Sequence, residues 1–169
     1  FISDKTGYIN FDLIRYVKYN FDLKYGKLDD WNSFNTYIKN TDFSETQNYE
    51  EVLNKIDIEN FLNLQALIIC TSYWSWGWGV SAFKQHDSGD KWKWTIWDMD
   101  RAFTIEDWNG FTFLNDTTGL ESPNIIAFQL LKNNQFKYEY INRISDFYNS
   151  LFKPENVIEQ IDSIKNIIA

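Results

Sequence analysis

Two carboxylates, Asp98 and Asp100, stand in the segment Lys91-Trp-Lys-Trp-Thr-Ile-Trp-Asp-Met-Asp-Arg-Ala-Phe103. Read as a strand end, this spacing turns both side chains to one side, because alternate residues of an extended chain share a face. Hard carboxylate oxygens, completed by phosphate oxygens and water, are the donor set of Mg²⁺ or Mn²⁺. Arg101 can pair with either carboxylate or reach a phosphate. Trp97, with the Trp92/Trp94 face, is expected to form an apolar wall that strengthens charge interactions nearby. The same residues also read as an acidic turn with Arg101 in a surface ion pair, and spacing alone does not separate the two.

Three further features carry chemistry. Trp74-Ser-Trp-Gly-Trp-Gly79 alternates indoles with glycines. Its rings either pack on the neighbouring elements or form an exposed platform for a sugar ring or a protein partner. His86 falls in an expected turn with solvent as its partner. With no second His or further Cys, a zinc site is not expected. Cys70, the single cysteine, ends the apolar run Leu67-Ile-Ile-Cys70 and reads as a core residue.

The elements that must position these residues follow from periodicity. Residues 1–28 read as an irregular segment with a helix across Phe11–Tyr19. From Asp29 the apolar residues Trp31, Phe34, Tyr37 and Ile38 fall at helical spacing, with Asp29 or Asp30 as cap. Ser44-Glu-Thr-Gln47 reads as a capping box opening a helix to about Lys55. Asp57 caps a helix from Ile58 to about Tyr73 that is apolar on nearly all faces, and so is the buried central one. A hairpin follows: Val80–Gln85, a turn at Asp87–Asp90, and Lys91–Trp97, with Trp92, Trp94 and Ile96 on one face. Residues 104–121 read as a long loop. Helices at about 123–132, 134–151 and 154–168 close the chain, with Ser122 capping the first and prolines opening the first and last. The fold class is α+β, mostly helical with a small β-hairpin.

Composition narrows the partners. A net charge of −8 leaves no Lys/Arg cluster for phosphate backbones, which argues against nucleic acid. No apolar run is long enough to span a bilayer. Aromatic residues reach 19%, more than a core of this size needs, which leaves rings for a pocket or surface.

A buried helix, a loop, a hairpin and then a metal-holding acidic residue is also the order of elements in the C-lobe of protein kinases. Within that order, Asp57-Ile-Glu-Asn-Phe61 and Trp97-Asp-Met-Asp-Arg-Ala-Phe103 resemble the D-x-x-N-F and W-D-x-D-R-x-F elements of the CotH kinase family, named for a spore-coat protein. Leu130-Leu-Lys-Asn-Asn-Gln-Phe136 and Phe152-Lys-Pro-Glu155 look like that family's C-terminal helices, so the likeness runs from about residue 29 to 165. It implies a kinase C-lobe-like domain over 29–169 that binds ATP with Mg²⁺ or Mn²⁺ and phosphorylates protein serine. By the resemblance Asp98 and Asp100 are catalytic and hold the metal, while Arg101 and Trp97 contact the cofactor. Spore coat, cell surface or secretion is the location it implies. Two departures stand out. A nucleotide-binding N-lobe with its phosphate-anchoring Lys and Glu is not evident before residue 29, so residues 1–28 are the end of a lobe lying upstream or the domain lacks one. The family's loop between helix and hairpin offers an Asp base and an Asn. Here Thr71–Gly79 contains neither. Asp107 or Asp116 of the long loop could take the base's place, or the domain is a pseudokinase-like module that binds protein or glycan through its aromatic loop.

Overall fold

The computed structural model describes residues 10–17, 20–86, 90–104, 109–111 and 123–168. The 87–89 part of the expected turn, most of the 104–121 loop with Asp107 and Asp116, and the Ser122 cap lie outside the described residues. The structure is α+β and mostly helical, with one four-stranded antiparallel sheet.

The sheet is larger than the expected hairpin. Strand β1 (Phe11–Val17) and strand β2 (Asn20–Tyr25) pair with each other, and β1 also pairs with β3 (Val80–Gln85), which pairs with β4 (Lys93–Ile96). The helix expected across Phe11–Tyr19 and the irregular reading of that stretch are therefore corrected. Phe11, Ile14 and Val17 do keep near-helical spacing, but Asp12, Ile14 and Tyr16 are the residues buried on one face, a period of two. β-Branched and aromatic side chains in a stretch with a docking edge nearby favour the strand. Strands from either side of residue 28 thus belong to one sheet, in the order β2-β1-β3-β4.

Helix α1 (Asp29–Asn40) buries Trp31, Phe34 and Ile38, the predicted stripe. Neither Asp29 nor Asp30 is its cap: Leu28 holds that position without a side-chain bond, and both acids lie in the first turn, where the helix dipole favours them. Helix α2 (Thr46–Val52) likewise starts from Glu45, not from a Ser44 capping box. Ser44 instead donates to Asp42 at 2.8 Å. Helix α3 (Ile58–Cys70) is capped as expected, Asp57 Oδ1 accepting from the Asn60 N–H at 3.1 Å. It is the buried centre of the molecule, packing Phe61, Leu62, Leu64, Ala66, Ile68 and Ile69 into the core. Cys70 is in that core too, its Sγ 4.0 Å from the Ile144 carbonyl, and burial pushes its thiol up to about 11.

A single helical turn, α4 (Trp76–Gly79), leads into β3. Helix α5 (Pro123–Leu130), helix α6 (Asn134–Asn149) and helix α7 (Pro154–Ile168) follow near the expected limits. Asn133 caps α6 by accepting from the N–H groups of Gln135 and Phe136. The buried side of α6 is Phe136, Tyr140 and Ile144, and the Tyr140 hydroxyl meets Gln65 of α3 at 3.5 Å.

Candidate functional site

The site is built on the edge strand β4, and the chain fixes that strand with unusual care. The backbone N–H of Trp92 donates to the Lys55 carbonyl, and the Trp92 carbonyl accepts from Asp57 N, both at 2.9 Å. One turn into α3, Asn60 grips the Trp94 backbone twice: Oδ1 accepts its N–H at 2.6 Å and Nδ2 donates to its carbonyl at 3.0 Å. Residues 55–60 thus satisfy the backbone groups that an edge strand would otherwise expose. Phe61 adds its ring against Trp94, centroids 4.8 Å apart. Asp57-x-x-Asn60-Phe61 is therefore a latch: cap, edge clamp and packing ring in one helical turn.

Trp92 and Trp94 face the core, packed on Trp31, Phe34 and Phe61. They are not a wall beside the carboxylates, contrary to the sequence expectation. The two faces of a strand explain this: residues 92, 94 and 96 point inward, and 97 points out. Trp97 is 42% exposed, with the Arg15 guanidinium over its ring at 4.2 Å.

The extended geometry assumed for Asp98 and Asp100 is also corrected. Strand β4 ends at Ile96, Asp98 takes the left-handed conformation (φ 56, ψ 57), and Asp100 lies in a 3₁₀ turn, Met99–Arg101. Both side chains are exposed. Their charges bear on a common neighbour: burial, then Asp98, then Asp100 hold the Tyr73 phenol above the usual tyrosine range, opposed by a hydrogen bond with Ser75. Among the described residues the non-glycine positions with positive φ are Ser72, Asp98 and Phe103. Such angles cost free energy and persist only where the surroundings impose them. All three sit in two segments that are tied together. Phe103 N donates to the Thr71 carbonyl at 2.8 Å, and Tyr73 donates its hydroxyl to the Asp98 carbonyl at 3.1 Å. Trp97 N donates to the Gly79 carbonyl at 2.8 Å. A Cβ on Gly79 would lie 2.0 Å from the Tyr73 hydroxyl and 2.6 Å from the Trp97 carbonyl, so glycine is required there for close approach.

Arg101 stays at this corner, its Nε 3.6 Å from Asp100 and its guanidinium 5.3 Å from the Trp74 ring centre. The Trp74 indole N–H donates to Thr104 at 2.9 Å, and Thr104 donates to the Arg101 carbonyl at 3.0 Å. Trp74 is thus half-buried in the corner, whereas Trp78 is 48% exposed. The corner offers two hard oxygen donors to a cation and one guanidinium to an anion. Asp98, Asp100, Arg101 and Trp97, the residues singled out in the sequence, lie at this corner, and Tyr73, Arg15 and Gly79, which were not marked as their supports, contact them. Tyr73 and Gly79 precede β3, and only the pairing of β3 with β4 brings them here.

The family model for CotH kinase protein matches residues 10–169. The chain belongs to the CotH kinase family. The match takes in the β1–β2 hairpin as well as the helical part, so the CotH domain starts earlier than residue 29, where the resemblance in motifs begins. Its function is kinase-related by that membership. Comparison with curated proteins gave no match, and comparison with solved structures gave none. Among the described residues of this CotH domain, no helix is long and apolar enough to cross a membrane.

Proposed function

We propose that this CotH domain binds ATP together with Mg²⁺ or Mn²⁺ at the Asp98–Arg101 corner and transfers the γ-phosphoryl group to a protein serine. The observation that supports this most is the gathering of Ser72, Asp98 and Phe103, at φ 49, 56 and 57, around one exposed pair of carboxylates. Backbone strain concentrated beside exposed acids fits a ligand site better than a stabilising turn. The donor chemistry fits the cation, since two carboxylates leave positions for phosphate oxygens and water. A bound divalent cation would neutralise charge on the transferring phosphoryl group.

The chain's own residues divide the remaining work. Asp98 and Asp100 hold the cation, and the Tyr73 hydroxyl fixes the Asp98 backbone. Arg101 leaves its loose contact with Asp100 to meet phosphate, where a guanidinium makes paired hydrogen bonds. Thr71–Gly79 supplies no carboxylate to take the serine proton, and Tyr73, raised further from neutrality, is no base. Phosphoryl transfer relies chiefly on positioning and charge, so a Thr71–Gly79 loop without a carboxylate slows turnover without removing binding.

A second reading is favoured by Trp78, an exposed indole within that same stretch. In it the CotH domain is a binding module for a protein or glycan partner. Titration of ATP with and without Mg²⁺, on the parent and on Asp98→Ala, separates the two. The kinase reading expects metal-dependent binding that Asp98→Ala removes. Binding of a glycan or protein lost in Trp78→Ala, with no nucleotide bound by the parent, would establish the second reading and end the first.

A further inference from the structure

At the opposite end of β3 from Asp98, the sheet gathers a second set of polar side chains. Asp12 on β1 and Lys84 on β3 are directly paired, so they share a face, and His86 lies two residues beyond Lys84 on the same side. His86 keeps the pairing going, its N–H donating to the Asn10 carbonyl at 3.1 Å. Asp30, in the first turn of α1, comes down over this face and pairs with Lys84 at 2.6 Å. One ligand atom each from Asp12, Asp30 and His86 lies within 4.8 Å of the others. The length of β3 keeps this cluster roughly 20 Å from the Asp98 corner, at about 3.4 Å per residue.

Asp12 is what turns the cluster into a site. Its side chain is 1% exposed. Oδ1 accepts from the Lys27 N–H at 2.6 Å and lies 3.0 Å from His86 Nε2. Oδ2 is buried and has no hydrogen-bond partner among the described residues. Gly26 makes the closeness possible, at φ +83 with space for no Cβ: one would fall 2.1 Å from Asp12 Oδ1. An unpartnered carboxylate oxygen out of water is costly, and it belongs to the side chain that meets the imidazole through its other oxygen and shares a cluster with a second carboxylate.

We propose that Asp12, Asp30 and His86 bind a divalent transition metal of the Zn²⁺ or Mn²⁺ type. An imidazole with two carboxylates suits these ions better than Ca²⁺ or all-oxygen Mg²⁺ sites. Bonds of about 2.0–2.2 Å place ligand atoms about 3–4 Å apart, so the three groups need close only slightly. The metal enters with Asp12 Oδ2 as its buried anchor, and Lys84 gives up part of its hold on Asp30. The ion ties the start of β1, the start of α1 and the end of β3 together. Its binding therefore stabilises the folded chain. The absence of a second His or further Cys does not exclude the ion, because the other ligands come from two strands and a helix that sequence does not show to be adjacent.

The test uses untagged protein titrated with Zn²⁺ and with Mn²⁺ by calorimetry, with the imidazole NMR signals of the chain's single histidine followed in parallel. Stoichiometric Zn²⁺ binding that shifts the His86 signals is expected. His86→Ala and Asp30→Asn should each weaken it roughly tenfold or more, an effect that even outer partners of a metal can carry. Lys84→Met should tighten it by removing the competing ammonium. His86 and Asp30 are surface positions, so their variants are expected to fold. Zn²⁺ affinity equal in the parent and in His86→Ala, no binding by the parent, or no gain in Lys84→Met would overturn the three-ligand site.

Discussion

Asp98 is exposed yet held at φ 56 by a neighbour's hydroxyl, and that combination gives the residue scale its argument. Glycine, asparagine and aspartate all accept that conformation, so what marks the corner is that Ser72 and Phe103 adopt it as well. Gly79 is the complementary case, a residue whose value is having no side chain. Gly79→Ala should cost about 1–3 kcal/mol, because the new methyl must displace the Tyr73 hydroxyl or the Trp97 backbone. Urea denaturation checks this, and a neutral result would mean the corner is looser than its contacts imply. Asp98, Asp100 and Arg101 stood out in the sequence because two carboxylates at that spacing, with a guanidinium beside them, are groups that a cation and an anion can use. Their conformation did not. Nothing in Trp97-Asp-Met-Asp tells of a left-handed residue followed by a 3₁₀ turn, since that geometry is imposed by contacts from Tyr73 and Gly79.

Elements set the corner's place, and the latch between α3 and β4 matters most among them. Asn60→Leu leaves the Trp94 N–H and carbonyl unpartnered on the sheet edge. A loss of about 1–3 kcal/mol is expected, with ATP binding weakened because β4 carries Asp98. Thermal unfolding and nucleotide titration of the same variant read both effects; lost stability with unchanged nucleotide affinity would uncouple the latch from the site. Helices α1, α3, α6 and α7 were legible from their 3.6-residue stripes and, for α3, from the Asp57 cap. Strand β1 was not, because Phe11, Ile14 and Val17 satisfy helical spacing by chance while one face of the strand buries Asp12, Ile14 and Tyr16. A buried Asp12 breaks the apolar alternation that would have announced a strand, and its reason for being inside, the cluster with Asp30 and His86, is tertiary.

At the scale of the whole molecule, the CotH domain is a core built around α3, flanked by the sheet on one side and α6 on the other. Helix α7 stands apart from that core: it buries no residue, and Ile158, Ile161 and Ile164 are each more than half exposed. Removing residues 154–169 should lower stability by less than about 1 kcal/mol, whereas a large fall in melting temperature would mean that α7 packs in solution. The account as a whole rests on the Asp98 corner being built for a ligand and not for stability. The most direct measurement is Asp98→Gly, with unfolding free energy and Mg²⁺-dependent ATP binding determined side by side. Glycine accepts φ 56 without strain, so stability should change by less than about 1 kcal/mol while metal-dependent nucleotide binding disappears. Unchanged nucleotide binding, or a loss of several kcal/mol in folding, would show that Asp98 is a structural turn residue and contradict the account.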